Sequence, residues 1–219
     1  EAFIASSLSF YRGAGFGDDL LSLVAERGNA YGARIKHIPS NYRRLRDGDV
    51  VRLGDHHWLV IVGEGHAPEM ISLWCQERNV LISGDQILPS ISPNVSVWPN
   101  EPDADPLRLF LQSLERFRHL PADCLVLPSH GRPFFGLHER IDALVQHHQE
   151  RLRETLEACR RPITANDLLK IMFQRDLDSH QLFFAIGESL AHLHYLVGTG
   201  ELVRETDGTG VHRFRRAQS

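Results

Sequence analysis

The stretch of sequence that decides the fold is HWLVIVGEGHAPEMISLWCQERNVLISGD, residues 57–85. It contains three short apolar runs rich in Val, Ile, Leu and Trp, each closed by Gly, Pro or a charged turn, at residues 57–62, 71–75 and 80–83. A fourth run, CLVL at residues 124–127, has the same character. Runs of this length and composition are typical of β-strands. We therefore expect a β-sheet within the first 130 residues.

Three of these runs end at, or just before, a side chain that binds metals. His66 stands in the motif GHAP, Asp85 in SGD and His130 in PSHG. Loop backbone at a strand end can aim a side chain that the sheet holds rigidly. Imidazole nitrogen and carboxylate oxygen both bind Zn²⁺ at about 2.0–2.2 Å, and a catalytic zinc needs few protein ligands. The sequence therefore predicts a metal site assembled from strand ends.

The order of these motifs resembles the second half of the metallo-β-lactamase superfamily, nearest its glyoxalase-II-like hydrolases. In that family the histidine of GHxP completes the first metal site, the aspartate bridges two metals, and the histidine of SHG completes the second site. The resemblance therefore implies His66, Asp85 and His130 as metal ligands. It also implies Asp85 as a catalytic residue, because this side chain would help to hold the attacking hydroxide. No substrate-binding residue follows from it.

The family's upstream HxHxDH cluster, which supplies the other ligands of both metals, is absent from this sequence. The only HxH is His192-Leu193-His194, which lies in an apolar helical stretch and favours a structural role. The chain also opens with Glu1 rather than Met. We therefore expect a C-terminal portion of a longer protein, which by itself holds its metals incompletely and is inactive. A degenerate, metal-free descendant is the rival interpretation, and the retention of three ligands argues against it.

The predicted fold class is α+β, with two domains. Residues 1–149 are expected to form the second half of a metallo-β-lactamase αββα sandwich, and residues 150–219 resemble a small winged-helix domain. The proline-rich segment 87–106, which leaves Asp85, is expected to border the mouth of the active site. Apolar periodicity and capping residues predict helices over residues 18–31, 105–120, 137–160, from Thr164 onward, and 179–197. A β-hairpin is predicted over residues 202–205 and 211–215.

The charge of the second domain bears on nucleic-acid binding. Residues 151–219 contain ten Lys or Arg against nine Asp or Glu, and the presumed recognition helix, residues 189–197, contains no Lys or Arg. A surface that neutralises many phosphates should be clearly basic. A packing or dimerisation role is therefore favoured over base recognition. The wing residues Arg213, Arg215 and Arg216 keep the nucleic-acid alternative open.

The resemblance implies metal-assisted hydrolysis. Two divalent metals, zinc in the first place with iron or manganese also compatible, would share a hydroxide that attacks the carbonyl of a thioester or ester. Metal coordination lowers the pKa of bound water from 15.7 toward about 7, so that no side-chain base is needed. Two alternatives stay open at this point. One is a phosphodiesterase or nuclease that uses the same metals, and the other is a non-catalytic binding module of the same fold.

The composition of the chain predicts a water-soluble protein. No apolar run approaches the ~20 residues of a membrane-spanning helix, and no signal peptide is visible. The three cysteines show no CxxC pairing, which fits buried thiols in a reducing compartment. We therefore expect a cytoplasmic protein with a small-molecule acyl substrate, no membrane partner, and self-association left open.

Overall fold

The structure is a computed structural model that describes residues 2–28 and 37–218. The chain divides into two compact units. The sheet unit consists of Arg43–Val95 and Pro106–Glu150, and the helical unit consists of Glu1–Tyr42, Ser96–Asp105 and Arg151–Ser219. Spatial packing thus groups the start of the chain with its end. The predicted boundary between residues 149 and 150 divides the chain by sequence position, and it stays a prediction.

The sheet unit is built on one sheet of five strands in the order β1-β2-β3-β4-β5. Strands β1 to β4 pair with one another in antiparallel order, and β5 runs parallel to β4. Their bounds are β1 Val50–Leu53, β2 His56–Gly63, β3 Met70–Cys75, β4 Val80–Gly84 and β5 Leu125–Pro128. The four predicted strands are confirmed to within one residue at each end. β1 was not predicted, because only one of its four residues is buried and its sequence VVRL shows no clear alternation.

Strand direction determines where the polar loops lie. Because β1 to β4 alternate in direction and β5 is parallel to β4, strands β2, β4 and β5 all run the same way. Their last residues, Gly63, Gly84 and Pro128, therefore lie along one border of the sheet, called here the C-terminal edge. Each of these strands has an almost fully buried side chain, which identifies the face of the strand that packs in the core. These are Val60, Leu81 and Val126.

The connection from β4 to β5 contains helix α3, Pro106–Leu114, followed by a 3₁₀-helix, Glu115–His119. The prediction of a single α-helix over residues 105–120 was wrong in its last turn. There the Leu120 N–H donates to the Phe117 carbonyl, a three-residue step that tightens the helix. Leu107, Phe110, Leu114 and Phe117 are all completely buried, so the apolar stripe read from the sequence does form a core face. Helix α4 follows at Leu137–Ala158, two residues shorter than predicted.

The helical unit contains four further helices and a hairpin within the described residues. They are α1 Ala2–Gly13, α2 Asp18–Arg27, α5 Ala165–Met172, α6 Ser179–Gly198, β6 Leu202–Thr206 and β7 His212–Arg216. The prediction over residues 18–31 is confirmed as far as Arg27, and residues 29–31 lie outside the described part of the chain. The predicted order of helices and hairpin is confirmed, whereas the winged-helix assignment stays a prediction. None of these helices combines the length and the apolar character that a membrane crossing requires.

Local signals and aromatic packing hold the helical unit together. Thr164 and Asp167 form the predicted capping box at the start of α5, each side chain accepting a hydrogen bond from the backbone N–H of the other residue. Tyr11 is buried between the rings of Phe16 and Phe183, with ring centroids 5.4 and 5.2 Å away. This burial raises the pKa of the Tyr11 phenol to about 12. An N-terminal helix is thereby packed against α6.

Helix α6 contains a carboxyl group whose ionisation works against folding. Burial raises the pKa of Glu188 from 4.5 to about 7, and the Arg151 guanidinium opposes this rise. Between pH 4.5 and about 7 the folded protein therefore binds more protons than the unfolded chain, so the free energy of unfolding falls as the pH rises through this range. Glu188→Gln should leave the free energy of unfolding unchanged near pH 4. Above pH 7 the substitution should raise the free energy of unfolding by about 1–3 kcal/mol. This figure is reduced for solvent screening, because the side chain is only half-buried.

Urea denaturation of wild type and variant at both pH values tests this expectation. The control is Asp176→Asn, which removes an exposed carboxylate from the same unit and measures the effect of surface charge alone. A stabilisation by Glu188→Gln that is equal at both pH values would contradict the assignment.

Candidate metal centre

The C-terminal edge of the sheet brings the three predicted ligands into one loop cluster. His66 lies three residues beyond the end of β2, Asp85 one residue beyond β4, and His130 two residues beyond β5. Since these strands run in the same direction, their exits emerge side by side although the residues are far apart in sequence. The local cause is the same each time, a short apolar strand bounded by a Gly- or Pro-containing turn.

Asp85 is the centre of this cluster. Its Oδ2 atom lies 3.4 Å from His66 Nε2, and its Oδ1 atom lies 3.4 Å from His130 Nε2. The Ser129 hydroxyl donates to the same Oδ1 atom at 2.7 Å and orients the carboxylate. Each histidine therefore approaches a different oxygen of one carboxylate. The structure brings the three predicted residues together, and their role as metal ligands stays a prediction.

The hydrogen bond of His66 shows what this arrangement is suited to hold. Its Nδ1–H donates to the Asn94 carbonyl at 2.8 Å, and because a carbonyl can only accept, this bond places the proton on Nδ1. In the neutral ring Nε2 is then a bare lone pair that faces a carboxylate oxygen at 3.4 Å. Two electron-rich atoms at this separation are stabilised by a cation between or beside them. A histidine whose far nitrogen donates to a backbone carbonyl is also the usual arrangement of a metal ligand. The donor set therefore fits a divalent metal.

An irregularity in β4 aims Asp85. The pairing of β4 with β5 shifts register between Ile82 and Gly84, and Gly84 has φ +56°, in the left-handed region that glycine adopts without strain. Such bulges redirect the following side chain and are frequent beside functional sites. The Ser129 N–H donates to the Gly84 carbonyl at 3.1 Å, which ties the two exits together.

The glycine of GHAP lets the His66 loop approach helix α3. Gly65 has φ +94°, and a Cβ atom on it would lie 2.4 Å from Phe110 Cβ and 2.5 Å from the Pro106 carbonyl oxygen. Neither neighbour is the far end of a flexible side chain, so the loop would have to move. The close approach of this loop to α3 therefore depends on the absence of a side chain at residue 65.

A buried amide supports the cluster from behind, and sequence reasoning did not identify it. Gln86 is fully buried, and its Nε2 donates to the Ser113 hydroxyl at 3.0 Å and to the Glu64 carbonyl at 3.3 Å. Ser113 in turn accepts from the Glu64 N–H at 3.1 Å. Gln86 thus joins the exit of β2, the exit of β4 and helix α3. Its position directly after Asp85 was the one available signal, and a neutral amide there indicates no chemistry by itself.

The long loop that follows β4 reaches the centre through its backbone, at the Asn94 carbonyl. Arg140 of α4 donates to the Ile91 carbonyl at 2.8 Å, and the buried His148 shares a hydrogen bond of 3.1 Å with the Ser92 hydroxyl. These contacts hold the loop against α4 beside His66. These contacts support the expectation that segment 87–106 borders the site, but only for its residues up to 95. The remainder, Ser96–Asp105, belongs to the helical unit.

The HxH pair makes structural contacts. His192 Nδ1–H donates to the Glu188 carbonyl at 2.8 Å, and His194 Nδ1–H donates to the Ala104 carbonyl at 2.9 Å. Both belong to the helical unit and are buried. Burial lowers the pKa of His194 and so favours its neutral imidazole.

Fold and centre together define an α+β protein in which side chains of metal-binding type lie together at strand ends. The profile described as "Metallo-beta-lactamase superfamily" matches residues 7–130. The profile "Metallo-beta-lactamase-like, C-terminal domain" matches residues 152–217. The chain belongs to the metallo-beta-lactamase superfamily, as its motifs predicted.

Individual relatives agree with this assignment. A beta-lactamase domain protein from Burkholderia ambifaria is 46% identical, with a TM-score of 0.89 over 94% of this chain and 60% of its own. A metallo-beta-lactamase family protein from Thermus thermophilus is 31% identical, with a TM-score of 0.81 over 99% and 65%. The probable metallo-hydrolase YqjP of Bacillus subtilis (strain 168) is 26% identical over 71% of this chain and 49% of its own. The chain spans about half or less of the curated relatives it matches.

The packing of Gly65 gives a prediction for stability. Gly65→Ala adds a close contact with α3 to the cost of a positive φ, and should lower the free energy of unfolding by about 2–5 kcal/mol. Gly54→Ala is the matched control, since Gly54 has φ +62° with no atom within 4 Å of an added Cβ. It should cost only about 1–2 kcal/mol. Urea denaturation measures both, and equal losses would show that the contact with α3 is unimportant.

Proposed function

We propose that this chain contributes His66, Asp85 and His130 to the active centre of a metal-dependent hydrolase that cleaves a thioester or ester. The observation that supports this proposal is the Asp85 carboxylate, whose two oxygens face two different imidazoles at 3.4 Å. Ion pairs close to the surface contribute little to stability, so stability alone gives little reason for one carboxylate to face two imidazoles. Here one carboxylate is presented to two ligand-type nitrogens at a loop edge.

The residues divide the work in a way that their contacts support. His66, Asp85 and His130 would hold two divalent ions, zinc in the first place with iron or manganese compatible with the same donors. Such ions, when bound, lower the pKa of water and polarise a carbonyl, so the protein needs no general base of its own. The Asn94 carbonyl accepts from His66 Nδ1–H and so leaves Nε2 as the ring nitrogen that faces the centre, and the Ser129 hydroxyl fixes the rotation of the Asp85 carboxylate.

Access to the centre is asymmetric. The side chain of His130 is 69% exposed, whereas those of His66 and Asp85 are each 25% exposed. Within the sheet unit, a substrate would therefore approach from the His130 side, with Asp85 between it and the deeper His66. A small acyl compound fits this picture, because charge recognition of a polyanion would call for basic side chains around the entrance.

The helical unit bears on the alternatives. None of residues 189–197, the presumed recognition helix, is exposed. This burial supports a packing role for α6 and leaves the nuclease alternative to the wing arginines. We further propose a winged-helix-like role in protein packing or self-association for residues 150–219, and a cytoplasmic location, which the three buried free thiols would suit.

Substitution of Asp85 tests the proposal. In the natural full-length protein, loaded with zinc, iron or manganese, we expect turnover of an acyl-CoA, an acyl-glutathione or a lactone. Asp85→Ala should reduce this turnover to background, because it removes the carboxylate that faces both histidines. Ser129→Ala, which removes only the hydroxyl that orients Asp85, should reduce the turnover by about 10–100-fold. Steady-state rates and metal content measure both effects.

The control is Asp123→Ala, an exposed carboxylate just before β5 at the opposite end of that strand, which should leave the rate unchanged. Circular dichroism should show the native fold for all three variants. Turnover of bis-nitrophenyl phosphate alone would favour the phosphodiesterase alternative. No turnover of any substrate by metal-loaded protein would favour a non-catalytic module.

A further inference from the structure

The opposite border of the same sheet has its own cluster of ligand-type side chains. β2 begins at His56 and β3, antiparallel to it, ends at Cys75, so these two residues lie at the border away from the C-terminal edge. β2 is eight residues long, which at about 3.3 Å per residue separates its two ends by roughly 23 Å. This cluster is therefore separate from the centre at Asp85.

Strand geometry brings its members together. The register pairs Leu59 with Trp74, so the next residues outward, Trp58 and Cys75, share the other face of the sheet. His56, two residues before Trp58, lies on that face as well. Glu77 follows Cys75 by two residues in the turn after β3. Ligating atoms of His56, Cys75 and Glu77 lie within 4.8 Å of one another, a spacing that no other such triad reaches in the described part of the chain.

A contact within the cluster shows that two of the donors already face each other. The Cys75 thiol donates to Glu77 Oε2 at 3.2 Å. The other carboxylate oxygen, Oε1, lies 3.4 Å from Nδ1 of His57, a neighbouring side chain that is not one of the three. Cys75 is fully buried, while the Glu77 side chain is 47% exposed. A cation can therefore reach the cluster from the solvent side, where the Glu77 carboxylate meets water.

We propose that His56, Cys75 and Glu77 form a second metal site, which takes zinc or another thiol-binding divalent cation. Thiolate, imidazole and carboxylate are the three ligand types that zinc uses in proteins, and three protein ligands leave a fourth position for water. On binding, the Cys75 thiol releases its proton to solvent, and bonds from sulfur and from the carboxylate to the cation replace the S–H hydrogen bond to Glu77. The proposal does not depend on the function proposed for the Asp85 centre, whose ligands include no sulfur.

This difference in donors provides the test, with cobalt(II) alone as the probe. The natural full-length protein is stripped with a chelator and titrated with Co²⁺. A thiolate ligand gives a sulfur-to-cobalt charge-transfer band in the near ultraviolet, which nitrogen and oxygen ligands cannot give. We expect this band to reach the intensity of one thiolate-bound Co²⁺ per chain, whatever further Co²⁺ the Asp85 centre takes up, and to disappear when excess zinc is added. It should be absent in Cys75→Ser and unchanged in Asp85→Ala.

Further variants separate a built site from a single reactive thiol. Glu77→Gln and His56→Gln change side chains outside the core, so the fold should persist, and each should weaken Co²⁺ binding by about ten-fold or more. Cys159→Ser is the matched thiol control, since Cys159 is equally buried but lies in the helical unit, and it should keep the band.

Several results would overturn the proposal. The first is a titration that produces no band. The second is a band that survives Cys75→Ser. The third is a Co²⁺ affinity, measured from the band, that neither Glu77→Gln nor His56→Gln changes. If Cys75→Ser does not fold, the Glu77 and His56 variants decide the question, because a thiol that binds cobalt without help from its neighbours would be indifferent to both.

Discussion

The parallel pairing of β4 with β5 is the constraint on which the candidate centre depends. It aligns the exits of two strands separated by about 40 residues of loop and helix, and it sets Ser129 beside Gly84 through a backbone hydrogen bond of 3.1 Å. An antiparallel partner would have placed residues 129–131 at the other border of the sheet. Parallel strands need a long crossover, and α3 with its 3₁₀ turn supplies one whose buried face also packs against the His66 loop.

Around that pairing, the side chains nearest the centre are positioned by groups that carry no chemistry of their own. Asn94 acts through its carbonyl, Ser129 through its hydroxyl, and Gln86 through an amide that joins both strand exits to Ser113. The first contact selects a tautomer of His66, the second restrains the rotation of Asp85, and the third holds the two strand exits together. Sites that must hold their ligands within a fraction of an ångström rely on such support.

The two borders of the sheet present different donors. Nitrogen and oxygen meet at the C-terminal edge, and a sulfur joins them at the other border, where His56, Cys75 and Glu77 gather. The cause is the alternation of strand directions, which sends the exits of β2, β4 and β5 one way and the exit of β3 the other. One rigid sheet thereby separates two clusters that could otherwise compete for the same cation.

The sequence by itself determined the strands, the long helices, the family and the candidate ligands, because apolar runs, capping residues and the GHAP, SGD and PSHG motifs are local signals. It missed β1, whose exposed residues show no period, and the 3₁₀ turn after α3, in which Phe117 is buried and the Leu120 N–H donates to the Phe117 carbonyl. Tertiary structure alone decided which oxygen of Asp85 faces which histidine, and that Gln86 and the Asn94 carbonyl support them. It also decided that residues near the N-terminus pack with residues after 151. These features arise from contacts between residues far apart in the chain, which no local pattern encodes.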